Sequence, residues 1–121
     1  MYSEIVLQHF RNPHNPGTLE DATTTVEAVN PVCGDILRLS IRMAEGRIFA
    51  ARFKTQGCVS SIAASSMLTE ILIGKTLDEA RTITPEKIST ALGGLPPATF
   101  HAAELCADAL MKLLSELGDK T

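Results

Sequence analysis

The sequence contains no tryptophan, and aromatic residues make up only 4% of its 121 residues. Burial must therefore come from aliphatic side chains, which supply most of the 45% hydrophobic content. The formal net charge is −3 and no block of like charges is present, so we expect no binding to nucleic acid. No apolar run approaches the roughly 20 residues of a membrane-spanning helix, so we expect no membrane association.

The sequence also lacks the dense, even set of cysteines that secreted disulfide frameworks use, since it has three that are widely spaced. Its start, MYSEIVLQHF, has no basic region and no long apolar stretch, so it does not look like a signal peptide. We therefore expect a cytoplasmic protein whose cysteines are metal ligands, reactive thiols or core residues. The length predicts a single domain over residues 1–121.

Alternating apolar and polar residues predict two adjacent strands joined by a tight turn at Glu45-Gly46. A β-branched run over residues 23–29 predicts a third strand ahead of them. We expect a three-stranded antiparallel sheet with one solvated face. The residues predicted to face inward are Leu37, Leu39, Ile41, Met43, Phe49, Ala51 and Phe53.

Helical periodicity and capping residues predict several helices around these strands. We expect one over residues 4–10, one from residue 57 to Gly74, two short ones after Thr76 and Thr84, and a last one over about residues 100–117. Most of the helices follow the strands in the chain. This order predicts an α+β fold with helices packed on one face of the sheet.

Cys33 and Asp35 lie two positions apart where a strand begins. Residues at this spacing in an extended chain project to the same side, so a thiolate and a carboxylate can face one metal ion. Gly34 between them leaves that approach open.

Cys58 follows a predicted strand and opens a predicted helix, where the positive end of the helix dipole favours the thiolate. His101 opens the last helix and can offer a neutral nitrogen to a metal. Cysteine, aspartate and histidine together suit zinc or an iron–sulfur cluster. Taken singly, each also fits an ordinary role as a core, turn or surface residue. His9 and His14 have no comparable context, and the sequence assigns them no role.

These motifs resemble those of the IscU/NifU-type iron–sulfur cluster assembly scaffolds, and the similarity covers nearly the whole chain. The spacing of the two cysteines and the histidine leaves no room for the insertion that marks the zinc-containing sulfur-acceptor branch. The segments that carry the resemblance are Cys33-Gly34-Asp35, Gly57-Cys58, Leu95-Pro96-Pro97 ahead of His101, and the runs at residues 51–55 and 74–80.

The resemblance implies an α+β fold with a three-stranded sheet and a metal site at one end. It implies that a cysteine desulfurase delivers sulfur as a persulfide. Iron and electrons, from a donor such as a ferredoxin, then complete a transient [2Fe–2S] cluster. The cluster passes to apo iron–sulfur proteins, often with the help of an Hsp70-type chaperone. Family members also hold Zn²⁺ at this site, act as monomers or homodimers, and are usually counted as carriers and not as enzymes.

The sequence departs from the family at Ala102, where the family has a third ligand cysteine; the third cysteine here is Cys106. His101 and Cys106 are separated by about 140° and about 7.5 Å on a helix, which is too far for one ion. Cys106 also falls on the apolar stripe of its helix, so we predict a core cysteine and disfavour it as a metal ligand or persulfide acceptor. The predicted metal site is therefore Cys33, Asp35, Cys58 and His101.

A second departure follows Leu95-Pro96-Pro97, where the family has a small apolar residue and a lysine but this chain has Ala98-Thr99. The loss of that positive charge argues against specialised chaperone binding.

Three functions stay open on the sequence. The leading one is a scaffold that assembles and transfers iron–sulfur clusters. The second is a zinc-binding sulfur acceptor, or a partner that modulates a desulfurase, without cluster assembly. The third is a zinc hydrolase with Asp35 as the base, which is disfavoured because no second group of residues would bind a substrate.

Overall fold

The computed structural model describes residues 2–118. Three strands form one antiparallel sheet in the order β1-β2-β3, with α2 packed against β3 and α5 against β1 and β2. The predicted α+β fold is confirmed. The elements in chain order are α1 (Glu4–Arg11), β1 (Thr24–Val29), β2 (Ile36–Ala44), β3 (Arg47–Gln56), α2 (Val59–Leu72), α3 (Leu77–Ala80), α4 (Pro85–Ala91), a 3₁₀ turn (Pro97–Thr99) and α5 (His101–Gly118).

The strand β2 fully buries Leu37, Leu39 and Ile41 of its predicted inner face, and Met43 is half-buried against the core. The turn that follows is a two-residue hairpin in which Glu45 and Gly46 both have positive φ, at 53° and 78°. Two positive φ values are the signature of the type I′ turn, whose twist matches that of the flanking strands. The predicted tight connection is therefore confirmed.

The strand β3 differs from the prediction at its start, because Phe49 is 60% exposed and Ile48 is fully buried. The pairing register shifts there: Met43 pairs with Ile48, whereas Arg42 pairs with Ala50. Phe49 is thus the extra residue of a β-bulge, which breaks the period of two. Its ring instead lies 4.6 Å from the Arg42 guanidinium carbon, so the prediction that Phe49 faces the core was wrong.

The helix starts follow the predicted caps. The Ser3 hydroxyl accepts a hydrogen bond from the Val6 N–H at 3.1 Å, and Thr76 forms a capping box with Glu79. Thr84 caps α4, and α2 ends ahead of Gly74, whose φ is +92°. Side-chain acceptors at these caps satisfy backbone N–H groups that a helix leaves without partners. No helix within residues 2–118 is long and apolar enough to cross a membrane.

The inner face of α2 is built from small residues, and Ser60, Ser61, Ala64 and Ser65 are all fully buried. Small side chains let the helix approach the sheet closely. The buried hydroxyls find partners: Thr55 donates to the Ser65 hydroxyl at 2.7 Å, and Ser65 donates to the Ser61 carbonyl at 2.7 Å. This packing fixes the start of α2 beside the end of the sheet.

Candidate functional site

Three chain segments meet at one end of the sheet. Ile36 at the start of β2 pairs with Val29 at the end of β1 and with Gln56 at the end of β3. The loop of residues 30–35 and the connection at residues 57–58 therefore leave the sheet side by side. These two segments carry three of the four predicted site residues.

The structure brings the predicted site residues together. One ligand atom each from Cys33, Asp35 and His101 lies within 4.8 Å of the other two. Cys58 does not belong to that group of three, but its sulfur is 3.4 Å from the Asp35 Oδ2 atom. Asp35 thus lies close to both exposed thiols.

Asn30 shapes the loop that carries Cys33 and Asp35. Its side-chain oxygen accepts hydrogen bonds from the N–H groups of Val32 at 2.9 Å and Cys33 at 3.3 Å. Its backbone N–H donates to the Asp35 carbonyl, and its carbonyl accepts from the Gly34 N–H, whose residue has a φ of +76°. The closed loop leaves Cys33 exposed and turns Asp35 inward. Sequence reasoning missed this role, although Asn-Pro is a known turn signal.

Asp35 is only 8% exposed and is surrounded by hydrogen-bond donors. The Ser61 hydroxyl donates to Oδ2 at 2.6 Å, and the Cys58 N–H and thiol each donate at 3.4 Å. Burial alone would raise the pKa of the carboxyl. The hydrogen bonds from Ser61, Cys58 and Cys33 outweigh burial and hold the pKa below its usual value. The group is therefore a carboxylate at neutral pH, as a metal ligand must be.

Position 57 requires glycine because the Asp35 carboxylate lies directly against its Cα atom. A Cβ atom at Gly57 would lie 2.5 Å from Asp35 Cγ and 2.7 Å from Oδ2. No real Cβ approaches other atoms so closely, so any side chain at Gly57 would displace the carboxylate. The sequence predicted a turn at Gly57, but the structure shows that glycine is needed there for space.

Cys58 is exposed and occupies the N-cap position of α2, with no side-chain capping bond. Its sulfur lies 3.1 Å from the Ser60 hydroxyl and 3.4 Å from the Ser61 hydroxyl. The Ser60 hydroxyl can donate to this sulfur, whereas the Ser61 hydroxyl donates its proton to Asp35. The sulfur is exposed beside Asp35, so a metal ion or another sulfur can reach it.

His101 is the first residue of α5 and is partly exposed. The helix start places its imidazole beside Cys33 and Asp35. Ala102, where the resemblance led us to expect a ligand cysteine, is fully buried.

Cys106 is 0% exposed and lies one turn farther along α5 among other buried residues. Burial raises the pKa of its thiol to about 12, although a hydrogen bond with Ser65 acts in the opposite direction. A buried thiol that stays protonated is neither a nucleophile nor a metal ligand at neutral pH. The predicted burial of Cys106 on the apolar stripe is confirmed.

Thiol alkylation should distinguish the three cysteines. We expect iodoacetamide at pH 8 to modify Cys33 and Cys58 of the metal-free native protein, giving two adducts per chain by mass spectrometry. Cys106 should react only after denaturation, because its thiol is buried and its pKa lies about four units above the working pH. Three adducts formed at equal rates in native protein would contradict this assignment.

The chain is similar to known proteins in both sequence and structure. The family model described as "NifU-like N terminal domain" matches residues 1–121. "Iron-sulfur cluster assembly scaffold protein IscU 1" of Archaeoglobus fulgidus is 46% identical over 114 residues, which are 94% of this chain and 74% of that protein. "Iron-sulfur cluster assembly scaffold protein IscU" of Escherichia coli K12 is 41% identical over 123 residues, covering 98% of this chain and 95% of that protein.

Among solved structures, a NifU-like protein (N-terminal) from Brucella abortus aligns with a TM-score of 0.80. The alignment covers 98% of this chain and 95% of that one at 18% identity. At so low an identity, the likeness demonstrates a shared fold.

Proposed function

Because the chain belongs to the NifU-like N-terminal domain family, we propose that it is a scaffold on which iron–sulfur clusters are assembled and from which they are transferred. The observation that carries this proposal is the convergence of Cys33, Asp35 and His101 within 4.8 Å, with the Cys58 sulfur 3.4 Å from Asp35. The relatives named as iron–sulfur cluster assembly scaffolds cover most of the chain, and they favour this role over a zinc-binding sulfur acceptor or a zinc hydrolase.

The proposed ligands of the cluster are the two exposed thiolates, the His101 imidazole and the Asp35 carboxylate. Thiolates and imidazoles are the usual protein ligands of iron–sulfur clusters. A carboxylate is a harder donor than a thiolate and binds these irons less strongly. A site with two cysteines, one histidine and one aspartate therefore suits a [2Fe–2S] cluster that is cargo to be handed on. The same four donors suit tetrahedral Zn²⁺.

Sulfur is proposed to arrive from a cysteine desulfurase. The thiolate of Cys33 or Cys58 attacks the terminal sulfur of a persulfide on the partner protein. The partner's S–S bond breaks, its cysteine leaves as a thiolate, and a persulfide forms on the scaffold with no net change in oxidation state. Both acceptor cysteines are exposed, as this exchange requires, whereas Cys106 is buried.

The remaining partners follow from the same proposal. A ferredoxin-like protein would supply electrons, and apo iron–sulfur proteins would receive the cluster. The chain would act as a carrier and not as an enzyme, in the reducing cytoplasm, where exposed thiols stay reduced. Since Ala98-Thr99 carries no positive charge, we propose that an Hsp70-type chaperone is not essential for transfer.

Anaerobic reconstitution tests the proposed scaffold. Purified protein is incubated with ferrous iron, cysteine, a reductant and a catalytic amount of desulfurase, while visible absorption is recorded. We expect a coloured protein with equal amounts of iron and labile sulfide, and cluster transfer to an added apo-ferredoxin. A reaction without desulfurase is the control for free sulfide. A colourless protein holding zinc that iron and sulfide do not replace would contradict the proposal.

A further inference from the structure

A second group of metal-ligating side chains lies on the other half of α2, away from the site described above. It joins His9 of α1, His14 of the following loop and Glu70 of α2. Cys58 precedes Glu70 by 12 positions, which corresponds to about 18 Å of helix rise. This group, here called the arm cluster, is therefore separate from the proposed cluster site.

We propose that the arm cluster is a second metal site, which binds one Zn²⁺ or a similar divalent transition metal through His9, His14 and Glu70. One ligand atom from each of the three residues lies within 4.8 Å of the other two. Two histidines and a carboxylate are a known zinc ligand set, and three protein ligands leave a fourth position for water. The proposal does not depend on the scaffold function.

Two of the three donor separations fit a tetrahedral ion, and the third, between the two histidines, is within 4.8 Å. Glu70 Oε2 lies 3.1 Å from His14 Nδ1 and 3.5 Å from His9 Nε2. Donors at about 2.0–2.1 Å from zinc, set at tetrahedral angles, are about 3.3 Å apart. The two observed distances bracket this value. The same Glu70 oxygen lies close to a nitrogen of each ring, so a metal could bind among these three atoms after small side-chain movements.

Ser66 positions both histidines from one turn earlier on α2. Its hydroxyl oxygen accepts a hydrogen bond from the His14 backbone N–H at 2.7 Å and lies 2.7 Å from His9 Nδ1. When His9 Nδ1–H donates to that oxygen, the lone pair of Nε2 points to the Glu70 side. Such a hydrogen bond from the second ring nitrogen is a common support of metal-binding histidines.

The loop that carries His14 is held against α2 by its backbone. Thr69 Oγ1 donates to the His14 carbonyl at 3.3 Å, and the Asn15 amide donates to Thr69 Oγ1 at 3.2 Å. Beyond the loop, the Phe53 N–H donates to the Asn15 carbonyl at 3.1 Å. The His14 side chain makes none of these bonds. Replacing the His14 side chain should therefore leave the loop in place, so a His14 variant is a suitable test of the metal site.

The accessibility of the three side chains suits an exchangeable ion. The His9 side chain is 5% exposed, whereas those of His14 and Glu70 are 41% and 52% exposed. A metal could enter from solvent on the His14 side. By joining α1, the loop and α2, it would stabilise the amino-terminal part of the chain against the helix through preferential binding to the folded state.

The test measures Zn²⁺ binding after the proposed cluster site has been disabled. In a Cys33→Ser, Cys58→Ser, His101→Ala background, isothermal titration should show one equivalent of Zn²⁺ and a rise in melting temperature. Adding His14→Ala or Glu70→Gln should weaken the affinity at least about tenfold and remove the rise. Glu86→Gln, at an exposed position on α4, is the control: it should change neither the Zn²⁺ affinity nor the rise in melting temperature.

Circular dichroism of each variant checks that the fold is retained. The proposal is overturned if the background binds no Zn²⁺. It is also overturned if His14→Ala and Glu70→Gln, once shown to be folded, bind Zn²⁺ as the background does. Titration of Co²⁺ adds an independent readout, since tetrahedral Co²⁺ bound by nitrogen and oxygen gives visible bands that should disappear in the same two variants.

Discussion

Replacing Cys58 with alanine is expected to abolish cluster binding while leaving the fold intact. The thiol is exposed and caps no backbone group by its side chain, so its loss should cost little stability. It is, however, one of the two exposed cysteine thiols close to Asp35, and it lies at the start of α2. Desulfurase-driven reconstitution should therefore give less than about a tenth of the wild-type iron and sulfide, because Cys33 would be the one strong thiolate ligand left in the proposed set.

Cys106→Ala provides the matched control for this prediction. It removes a thiol from the same chain, but one that is fully buried on α5. We expect iron and sulfide contents close to wild type and a loss of about 1 kcal/mol in the free energy of unfolding, from the small cavity left in the core. Loss of the cluster in Cys106→Ala with retention in Cys58→Ala would contradict the proposed ligand set.

Gly57→Ala is expected to disable the site although every proposed ligand is retained. The added methyl would lie 2.5 Å from Asp35 Cγ, so the carboxylate must move away from Ser61 and Cys58. We expect Zn²⁺ affinity to fall about 10- to 100-fold, as when the support of a metal ligand is lost. Overpacking should also lower the free energy of unfolding by about 1–3 kcal/mol. Titration calorimetry and urea denaturation measure the two effects.

A double-mutant cycle separates this contact from a general effect of alanine at Gly57. In an Asp35→Ala background the carboxylate is absent, so Gly57→Ala should lose most of its cost in unfolding free energy. An equal cost in both backgrounds would show that the contact between Gly57 and Asp35 is not the cause. Metal binding should remain weak in the double variant, because the proposed carboxylate ligand is missing.

The sequence allowed prediction of those features that depend on neighbouring residues. The caps at Ser3, Thr76 and Thr84 were predictable because each depends on residues within one helical turn. The inner face of β2 was predictable because apolar and polar residues alternate without interruption in the sequence of residues 37–43. The bulge at Phe49 was not, since Ile48 and Phe49 are both apolar and only the pairing with β2 decides which one is buried.

In the candidate site, too, features set by neighbouring residues were predictable, and contacts between distant segments were not. Cys33, Cys58 and His101 could be identified because each stands next to a strand or helix boundary in the sequence. The hydrogen bond from Ser61 to Asp35 joins residues 26 positions apart, and that between His14 and Glu70 joins residues 56 positions apart. Such pairs depend on how α2 packs against the sheet and α1. A single sequence does not reveal this packing.

The bulge in β3 also bears on how the molecule avoids association through its sheet. An edge strand offers unpaired backbone groups to which another chain can add. On β3, Ile48 already exchanges hydrogen bonds with residues 74 and 75, and Phe53 with residues 15 and 17. The bulge at Phe49 twists the backbone between these two covered points. Along this edge, the protein thus presents little template for pairing with a strand of another chain.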